Sequence, residues 1–540
     1  MVKTIVSDNL RANIFGSRAD AGAAAAADCA AKLRDLLKQK DVVNMLFAAA
    51  PSQNEMLSAL INERDIDWTR VRAFHMDEYI GLSIDAPQRF ANFLKHKLFD
   101  VLPFKEICLI GGRSAAADSG AEEYISLIKM YPPDIVCLGI GENGHIAFND
   151  PHVADFNDGE LLKKVQLDHK CRVQQVNDGC FGTLSEVPEY ALTVTIPVIM
   201  AAKHLICTVP GPSKADAVFD TLKGPVQTDC PASVMRLHGD ACMYLDCDSA
   251  RHILFSRSVI TDEVSQDFEA VARFAKKHRL EGLEIRSVWD CKPEDLTEKQ
   301  VLSIKGILTS YGLKTVCICS SLFKSAYLAD ETEKLHKAAA LARKLDCKFI
   351  RGFSYFKDEA YSDEEFARVL QNIEPILEDY GVTLLIETDP SVNLTNAAGL
   401  SRLLDRLGSE RIAAVWDPGN NIFDPENERP YPDGYKHIKP FMRHMHLKDA
   451  VKKEGTATCV ALGEGEVDYA GQFKELIEDG YEGFISLETH YKKDRVLSDA
   501  LMVNPMGEAF SEGGYETSEE SLLNLGELIA RAVREADESI

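Results

Sequence analysis

The chain has 540 residues, which is long enough for two or more domains that each bury a core. Asp and Glu number 85 against 60 Lys and Arg, a formal net charge of −25, and this excludes nucleic acid and anionic membranes as expected partners because both would be repelled. There is no signal-peptide pattern, no apolar run of bilayer length and no C-x-x-C pair among the 14 cysteines, so we expect a cytoplasmic protein with reduced thiols.

The first half of the chain alternates helical and strand patterns. Residues 19–38 are Ala-rich with spaced leucines and predict a helix, and residues 42–49 predict a buried strand. Residues 52–64 predict a second helix, where Ser52 and Glu55 have the spacing of a capping box. This order predicts an α/β fold, a doubly wound Rossmann-like sheet with functional groups at the carboxyl ends of its strands.

A glycine-rich turn follows the strand predicted at residues 135–140. The turn lies in LGIGENGHIAFNDP, residues 138–151, where glycine lets the backbone approach a ligand closely. His145 and Asp150 could form an acid/base pair in which the carboxylate orients the imidazole. An ordinary tight turn with a surface histidine is the alternative interpretation.

A second segment, RAFHMDEYIGL at residues 72–82, ends an apolar run in two adjacent acids and a tyrosine. Together with the turn, and with YALTVT at residues 190–195 and VPGPSKADAV at residues 209–218, it resembles the glucosamine-6-phosphate deaminase/isomerase family. The resemblance extends to about residue 245 and keeps the order of the family's motifs. It therefore covers nearly the whole first half of the chain.

The resemblance implies an aldose–ketose isomerisation of an amino-sugar phosphate with loss of ammonia. It makes Asp77 the base that moves a proton between C2 and C1, and it makes His145 the ring-opening group, oriented by Asp150. The alternative for Asp77 is a helix N-cap, and the neighbouring Glu78 could be a solvated surface acid.

Two departures from the family affect the catalytic turn. Asn143 is found where the family usually has a second acid, and Asp150 replaces the usual glutamate with a shorter side chain. Both residues are kept as catalytic candidates, because some relatives in the family also have asparagine at the first position.

The expected phosphate subsite also differs from the family pattern. The loop AAAPSQN, residues 48–54, lacks the usual glycines, although the helix start behind it could bind an anion through free N–H groups. Lys214 matches the family's phosphate lysine, although a lysine near a helix start is often merely solvated. The family's arginine has no clean match, because alignment places Asn177 there. The candidate substrate-binding residues of this half are Ser52, Gln53, Lys214 and Arg172.

The pattern restarts around residues 246–251, where eight short apolar strands separated by helical stretches begin. Eight strand–helix units in fewer than 300 residues predict a (β/α)8 barrel. We therefore expect one domain over residues 1–250 and a second, TIM-barrel domain over residues 251–540. The predicted strands are residues 254–260, 282–286, 315–320, 348–353, 383–387, 412–417, 443–447 and 484–488.

Four residues at the ends of consecutive predicted strands could bind a metal ion. Glu387, Asp417, His446 and Glu488 come from the fifth to eighth strands, and barrel active sites assemble at these ends. Such a set suits one divalent ion with mixed O and N ligands, Mn, Mg, Co or Zn. Taken singly, each acid could simply end a strand, and His444 or His446 could be a hydrogen-bonded core residue.

The second half resembles the xylose-isomerase-like sugar phosphate isomerase/epimerase barrels from about residue 255 onward. The resemblance is found in LLIET, VWDPGN, RHMHLKD, LGEGEVDY and FISLETH. It implies the same four metal ligands, with Glu387 and Glu488 also acting as the acid/base pair. Many relatives have a histidine where this chain has Asn420, which puts recognition of one sugar hydroxyl in doubt. Further substrate-binding candidates, each with a surface hydrogen bond as the alternative, are Arg286, Lys448 and His490.

The leading hypothesis is a bifunctional carbohydrate enzyme that acts on small sugar phosphates and forms a homo-oligomer. An alternative makes the first half a sugar-phosphate sensor that regulates the barrel. An abasic-site DNA endonuclease is disfavoured by the acidic charge and the single four-ligand set, and a sugar lactonase by the FND segment after His145.

Overall fold

The computed structural model describes residues 1–111 and 120–538. The chain divides into two compact units, of which the first comprises residues 1–253 together with residues 533–538, and the second comprises Leu254–Ala532. None of the described helices is both long enough and apolar enough to cross a membrane.

The first unit is built on an eight-stranded sheet in the order β1-β2-β11-β10-β7-β3-β4-β6. The sheet is parallel except at one edge, where β1 pairs antiparallel with β2. A separate antiparallel sheet has the order β5-β9-β8. The strands are Lys3–Ser7 (β1), Leu10–Ile14 (β2), Val43–Phe47 (β3), Val71–His75 (β4), Asp77–Tyr79 (β5), Glu106–Cys108 (β6), Ile135–Leu138 (β7), Leu162–Gln166 (β8), Tyr190–Val194 (β9), His204–Val209 (β10) and Ala241–Leu245 (β11).

The first helix packs closely on this sheet because its inward face consists mainly of small residues. Ala25, Ala26 and Ala30 are fully buried, and leucines continue the same face toward the helix end. The helices of the unit are Arg18–Gln39 (α1), Asn54–Leu60 (α2), Phe90–Leu94 (α3), Ala121–Met130 (α4), His169–Asn177 (α5), Ile196–Met200 (α6) and Ala215–Lys223 (α7).

The predicted capping box at the second helix is wrong. A single 3-10 turn, Pro51–Gln53, precedes α2, and the N-cap position is Gln53, which makes no side-chain capping bond. Glu55 pairs instead with Arg18, with 2.7 Å between Nε and Oε1. The helix spans Asn54–Leu60 and is therefore shorter than the predicted range, residues 52–64.

The order of the strands creates a switch point between β3 and β7. From β3 the chain proceeds to β4 and β6 on one side, and β7 then returns to the other side of β3. A crevice forms at the carboxyl ends of the strands on either side of such a point. The loops that leave β3, β7 and β10 meet there.

The second unit is a closed barrel of eight parallel strands, as the sequence predicts. A hairpin of two further strands, Asp449–Lys453 (β19) and Thr456–Val460 (β20), follows the seventh barrel strand. The barrel strands are Ser256–Ile260 (β12), Gly282–Ile285 (β13), Lys314–Leu322 (β14), Phe349–Gly352 (β15), Thr383–Ile386 (β16), Ile412–Trp416 (β17), Met442–Leu447 (β18) and Phe484–Leu487 (β21).

Amphipathic helices connect these strands. Helix α9, for example, buries Phe268, Val271 and Phe274 on one face and begins at the Asp267 cap. The helices after the first unit are Thr261–Val264 (α8), Phe268–Lys277 (α9), Glu298–Tyr311 (α10), Thr332–Lys344 (α11), Asp363–Tyr380 (α12), Ala397–Leu407 (α13), Pro418–Ile422 (α14), Tyr435–Ile438 (α15), Tyr469–Glu478 (α16), Asp499–Val503 (α17), Glu508–Ser511 (α18) and Gly514–Asp537 (α19).

Candidate active sites

A cleft of about 260 Å³ lies at the switch point of the first unit. Asp77 and His145, two predicted catalytic residues that are distant in sequence, both line it. Ser52 and Lys214 also line it, from the loops after β3 and β10. The structure therefore brings together residues from four separate strand ends, as parallel sheets do.

Asp77 is almost completely buried in this cleft. It begins strand β5, opposite Thr193 of β9, and is therefore not a helix N-cap. Its side chain makes no hydrogen bond to a described residue. Burial, and secondarily the charge of Glu78, raise the pKa of Asp77 well above its ordinary value. The folded structure therefore favours the protonated form of this carboxyl group.

Glu78 is fully buried, which contradicts its interpretation as a solvated surface acid. Its carboxylate accepts hydrogen bonds from the backbone N–H groups of Phe90 and Ala91, at 3.1 Å each. Arg89 donates through Nε at 3.3 Å. Glu78 therefore anchors the start of α3, because it satisfies N–H groups that have no partner within the helix.

A hydrogen-bond network fixes the imidazole of His145. Nδ1 lies 2.7 Å from Asn143 Oδ1 and 3.0 Å from Asp150 Oδ1. Burial raises the pKa of Asp150, but the hydrogen bond and charge of His145 outweigh it, so the pKa falls below its ordinary value. An ionised Asp150 favours the proton on Nδ1, which leaves Nε2 as the nitrogen without a hydrogen bond from a described residue.

Asn143 joins two acids in this network. Its Nδ2 donates to Asp150 Oδ1 at 2.9 Å and to Asp168 Oδ2 at 2.6 Å. An amide can make both bonds because it has two N–H donors, whereas an ionised carboxylate has none. Asp168, which was not predicted from the sequence, also caps α5.

The glycines of the turn have different functions. A Cβ on Gly141 would lie 2.1 Å from the imidazole of His145, so the ring occupies the space where a side chain would be. Gly144 has φ of +81°, a left-handed conformation that strongly favours glycine. The turn therefore needs Gly141 for space and Gly144 for backbone conformation.

The predicted substrate-binding residues of this unit differ in position. Gln53 is buried and donates through Nε2 to the carbonyl oxygens of Leu138 and Thr208, at 3.1 and 3.4 Å, which ties β7 to β10. The guanidinium of Arg172 donates to Leu184 O and Val187 O and does not line the cleft.

Lys214 is 5 % exposed and contributes to the lining of the cleft. Burial lowers its pKa, and the nearby carboxylates of Asp178 and Glu142 offset part of the effect. The lysine is therefore not the solvated side chain that is common at helix starts.

The four predicted metal ligands converge at the carboxyl end of the barrel. Glu387, Asp417, His446 and Glu488 are each at most 2 % exposed, and one ligand atom from each lies within 4.8 Å of the others. Nδ1 of His446 lies 3.0 Å from Glu387 and 3.1 Å from Glu488. The pocket at this end is lined by Glu387 and Glu488, and a neighbouring cavity of about 890 Å³ is also lined by Asn420.

Basic side chains surround these acids. Lys448 Nζ lies 2.7 Å from Asp417 and 3.3 Å from Glu488, and it donates to Asn420 Oδ1. Arg351 contacts Glu387 and Glu488 at 3.0 and 3.3 Å. Lys448 therefore pairs with two of the candidate ligand carboxylates, and Asn420 accepts a hydrogen bond from the lysine.

Arg286 makes several buried contacts on the opposite side of Glu488. It bonds Glu488, reaches Asp262 at 2.9 Å and Glu263 at 2.8 Å, and lies 3.2 Å from Nε2 of His490. Burial, followed by the positive charge of Lys448, lowers the pKa of His490 well below its ordinary value. Arg286 and His490 therefore lie next to a metal-ligand candidate, and their binding of substrate stays a prediction.

A buried glutamate lies beneath the candidate metal ligands. Glu284 accepts from Nε2 of His444 at 2.5 Å and lies 3.2 Å from Nε2 of His446. His444 is thus the hydrogen-bonded core histidine of the pair. Glu284 holds the ring of His446 so that Nδ1 faces the other acids, as carboxylates do for metal-binding histidines.

The donor set of the cluster suits a divalent cation. Three carboxylates and one imidazole form a set of the kind that Mn²⁺, Mg²⁺, Co²⁺ or Zn²⁺ accepts. Further buried acids and bases lie around these four residues, and they are Asp262, Glu263, Glu284, Arg286, Arg351, Lys448 and Lys492.

The sequence contains a recognisable signal for two of these residues and none for others. Asp262 and Glu263 directly follow the first barrel strand, so the rule that identified Glu387 also applies to them. Arg351 lies within a strand, in FIRG, and Asp168 lies outside every motif quoted above. Neither shows a local pattern that separates it from ordinary residues.

Two family models match the chain. Residues 16–243 match the family described as glucosamine-6-phosphate isomerases/6-phosphogluconolactonase, and residues 268–512 match the xylose isomerase-like TIM barrel. A glucosamine-6-phosphate deaminase of Listeria welshimeri is 37 % identical over 208 residues, 38 % of this chain and 87 % of the relative. One of Streptococcus thermophilus is 36 % identical over 192 residues, 34 % of this chain and 77 % of the relative.

Solved structures resemble each half. A monomeric glucosamine-6-phosphate deaminase is 26 % identical, with a TM-score of 0.40, over 44 % of this chain and 98 % of its own. A xylose isomerase domain protein from Planctomyces limnophilus is 18 % identical, with a TM-score of 0.36, over 43 % of this chain and 90 % of its own. The sequence comparisons carry the assignment: the chain belongs through its first half to the glucosamine-6-phosphate deaminase/isomerase family, and its second half is a xylose isomerase-like TIM barrel.

Proposed function

We propose that the chain is a bifunctional carbohydrate enzyme. Residues 1–250 isomerise and deaminate an amino-sugar phosphate, and residues 251–540 carry out a metal-dependent isomerisation or epimerisation of a sugar or sugar phosphate. The observation that carries the proposal is the presence of Asp77, His145 and Lys214 in one cleft, in a domain whose relatives are glucosamine-6-phosphate deaminases.

In the first site, His145 opens the sugar ring. Its Nδ1 is held by Asn143 and Asp150, so Nε2 is free to take the proton of the anomeric hydroxyl and to deliver it to the ring oxygen as the bond between C1 and that oxygen breaks. The open-chain form then exposes the proton on C2 to a base.

Asp77 moves that proton. As a carboxylate it takes the proton from C2 and returns it to C1, while O1 gains a proton that the nitrogen loses, and C2 becomes the carbon of an imine. Water adds to the imine, and ammonia leaves, which gives a ketose phosphate. Burial supports this function of Asp77 because it raises the pKa of the carboxyl group, which makes the carboxylate a stronger base toward the proton on C2.

Lys214 binds the phosphate group at the other part of the cleft. Its side chain is buried and lines the same cleft as Ser52, which belongs to the loop that replaces the family's phosphate loop. Gln53 acts indirectly, because its amide fixes the strand ends below this loop.

In the barrel, Glu387, Asp417, His446 and Glu488 would hold one divalent cation. A cation bound there would polarise a carbonyl and its neighbouring hydroxyl. Glu387 and Glu488 remove and return the proton on the adjacent carbon. Arg351 contacts both glutamates, at 3.0 Å for Glu387 and 3.3 Å for Glu488, and can hold them in place.

The first test measures ammonia released from a panel of hexosamine 6-phosphates, with and without a chelator. We expect chelator-resistant release that falls by about 10²–10⁴-fold in Asp77→Asn, the usual contribution of a general base. Asp85→Asn, an exposed acid nearby, is the matched control and should keep full activity. Absence of ammonia from every substrate would refute deamination.

The second test follows aldose–ketose conversion and epimerisation of sugars and sugar phosphates. We expect activity that the chelator abolishes, that a divalent salt restores, and that Glu387→Gln removes. Glu482→Gln, an exposed glutamate shortly before β21, should behave as wild type. Chelator-resistant conversion would argue against metal dependence of the barrel.

The position of Arg172 favours a second candidate, in which the first unit senses a sugar phosphate without converting it. Arg172, the arginine predicted to bind substrate in this unit, does not line the cleft. A sensor would bind hexosamine 6-phosphate without releasing ammonia, and Asp77→Asn would keep both the affinity and the effect on barrel turnover.

A further inference from the structure

The cleft of the first unit contains a basic residue that the resemblance does not assign. Among its lining residues, Lys214 and Arg18 are the lysine and arginine side chains. A phosphate dianion is normally bound by more than one positive group or by several N–H donors. Arg172 cannot be the second one, because its guanidinium is bound to two backbone carbonyls elsewhere.

Arg18 is held at the cleft in a defined orientation. It is the first residue of α1, and Glu55 in the first turn of α2 binds two of its nitrogens. Nε lies 2.7 Å from Oε1, and Nη2 lies 3.0 Å from Oε2. No described residue bonds Nη1. Glu55 therefore binds the edge of the guanidinium formed by Nε and Nη2, and Nη1 is available to a ligand.

Close packing of the two helices supports this orientation. A Cβ on Gly22 of α1 would lie 2.5 Å from Cβ of Glu55 and 2.9 Å from the backbone of Met56. Because the helices touch here without an intervening side chain, the backbone and Cβ of Glu55 have a fixed position relative to α1. The side chain of Arg18 is 48 % exposed, and its two contacts with Glu55 are what orient the guanidinium.

We propose that Arg18 is the second cation of the phosphate subsite, positioned by Glu55 and acting with Lys214. The proposal rests on the proposed function of the first unit and names the residue that provides specificity for a phosphorylated substrate. Arg18 thus adds, from the N-terminus of α1, a second positive charge to that of Lys214.

The test compares wild type, Arg18→Ala and Arg18→Lys in two assays. Steady-state deamination of glucosamine 6-phosphate should show a KM raised by about ten-fold or more in Arg18→Ala, with kcat changed less than about three-fold, because the phosphate lies away from the reacting carbons. Activity on unphosphorylated glucosamine should not change. Arg18→Lys should fall between wild type and Arg18→Ala, because it keeps the charge but loses the fork.

Calorimetric titration with inorganic phosphate and with a hexitol 6-phosphate, which cannot react, forms the second assay. We expect Arg18→Ala to weaken both by about ten-fold. The matched control is Arg34→Ala, which removes an arginine of the same helix paired with Glu63 at 2.7 Å but outside the cleft lining. It should bind and turn over as wild type.

The two assays separate failure of this inference from failure of the deaminase proposal. Wild-type KM and affinity in Arg18→Ala, or an equal loss in Arg34→Ala, would overturn the inference, and so would absence of phosphate binding by wild type. Phosphate binding that depends on Arg18 without any ammonia release would leave the inference standing and refute deamination.

Discussion

Burial of Asp77 has a measurable consequence for stability. Its folded-state pKa is raised above the unfolded value of about 3.9, so folding favours the protonated carboxyl group. The corresponding stability is complete below the unfolded pKa and is lost as the pH rises through the folded pKa. We expect Asp77→Asn to have a higher Tm than wild type at pH 7, with the difference disappearing toward pH 4.

Thermal unfolding of both proteins between pH 4 and pH 8 measures this effect. Asp85→Asn is the control and should follow wild type at every pH, because the side chain is exposed. A Tm of Asp77→Asn that stays below wild type at neutral pH would show that Asp77 stabilises the fold as an ionised group.

Asn143 should not be replaceable by the acid that the family usually has. Asn143→Asp would place a third carboxylate against Asp150 and Asp168 and would remove the two N–H donors that they accept. We expect a loss of about 1–3 kcal/mol of stability at pH 7, the cost of buried acceptors without donors. Chemical denaturation at pH 7 and pH 5 tests this, and the loss should shrink at pH 5. Unchanged stability would mean that the network does not depend on the amide.

At the scale of elements, the glycine-rich turn depends on the contact between Gly141 and His145. Gly141→Ala would put a Cβ 2.1 Å from the imidazole, and the ring must move. We expect ammonia release to fall by about 10²-fold or more, because the ring-opening group is misplaced. Gly159→Ala, where nothing lies within 4 Å of the added Cβ, is the control and should retain activity.

The same scale shows what could be predicted from the sequence. Each predicted barrel strand is found in the closed barrel, because short, largely apolar runs that alternate with helical stretches leave few alternatives. Because parallel strands end at the same edge, the residues after them converge, and Glu387, Asp417 and Glu488 could be grouped without coordinates.

Residues whose environment comes from distant segments could not be predicted in this way. Glu78 resembles a surface acid in sequence, but α3 folds over it and supplies N–H donors. Arg172 resembles a substrate-binding residue in sequence, but its guanidinium donates to the backbone carbonyl oxygens of Leu184 and Val187 in the same unit. In both cases tertiary hydrogen bonds decide the function of the side chain.

At the scale of the whole molecule, the last turn of α19 contributes to the first unit. Asp537 accepts a hydrogen bond from Gly16 N at 2.7 Å, just before α1 begins. We expect Asp537→Ala to destabilise the first unit by about 1–3 kcal/mol, because a partly buried N–H loses a charged acceptor. Hydrogen-exchange mass spectrometry should show faster exchange in peptides of β2 and α1, with barrel peptides unchanged.

Glu538→Ala serves as the control for this experiment, because Glu538 is the exposed neighbour of Asp537. Slower or equal exchange in Asp537→Ala would contradict the contribution of the last turn. The contact joins residues 521 positions apart, and no periodicity or motif in the sequence connects them.

The grouping of residues 533–538 with the first unit also bears on biosynthesis. A ribosome completes residues 1–253 long before it reaches Asp537, and the barrel between them takes roughly 10–60 s to make at ordinary elongation rates. During that interval the amide of Gly16 has no carboxylate partner, and the nascent first unit must persist in a less stable form. Slow elongation within the barrel-coding region would therefore lengthen the exposure of the first unit to chaperones and proteases.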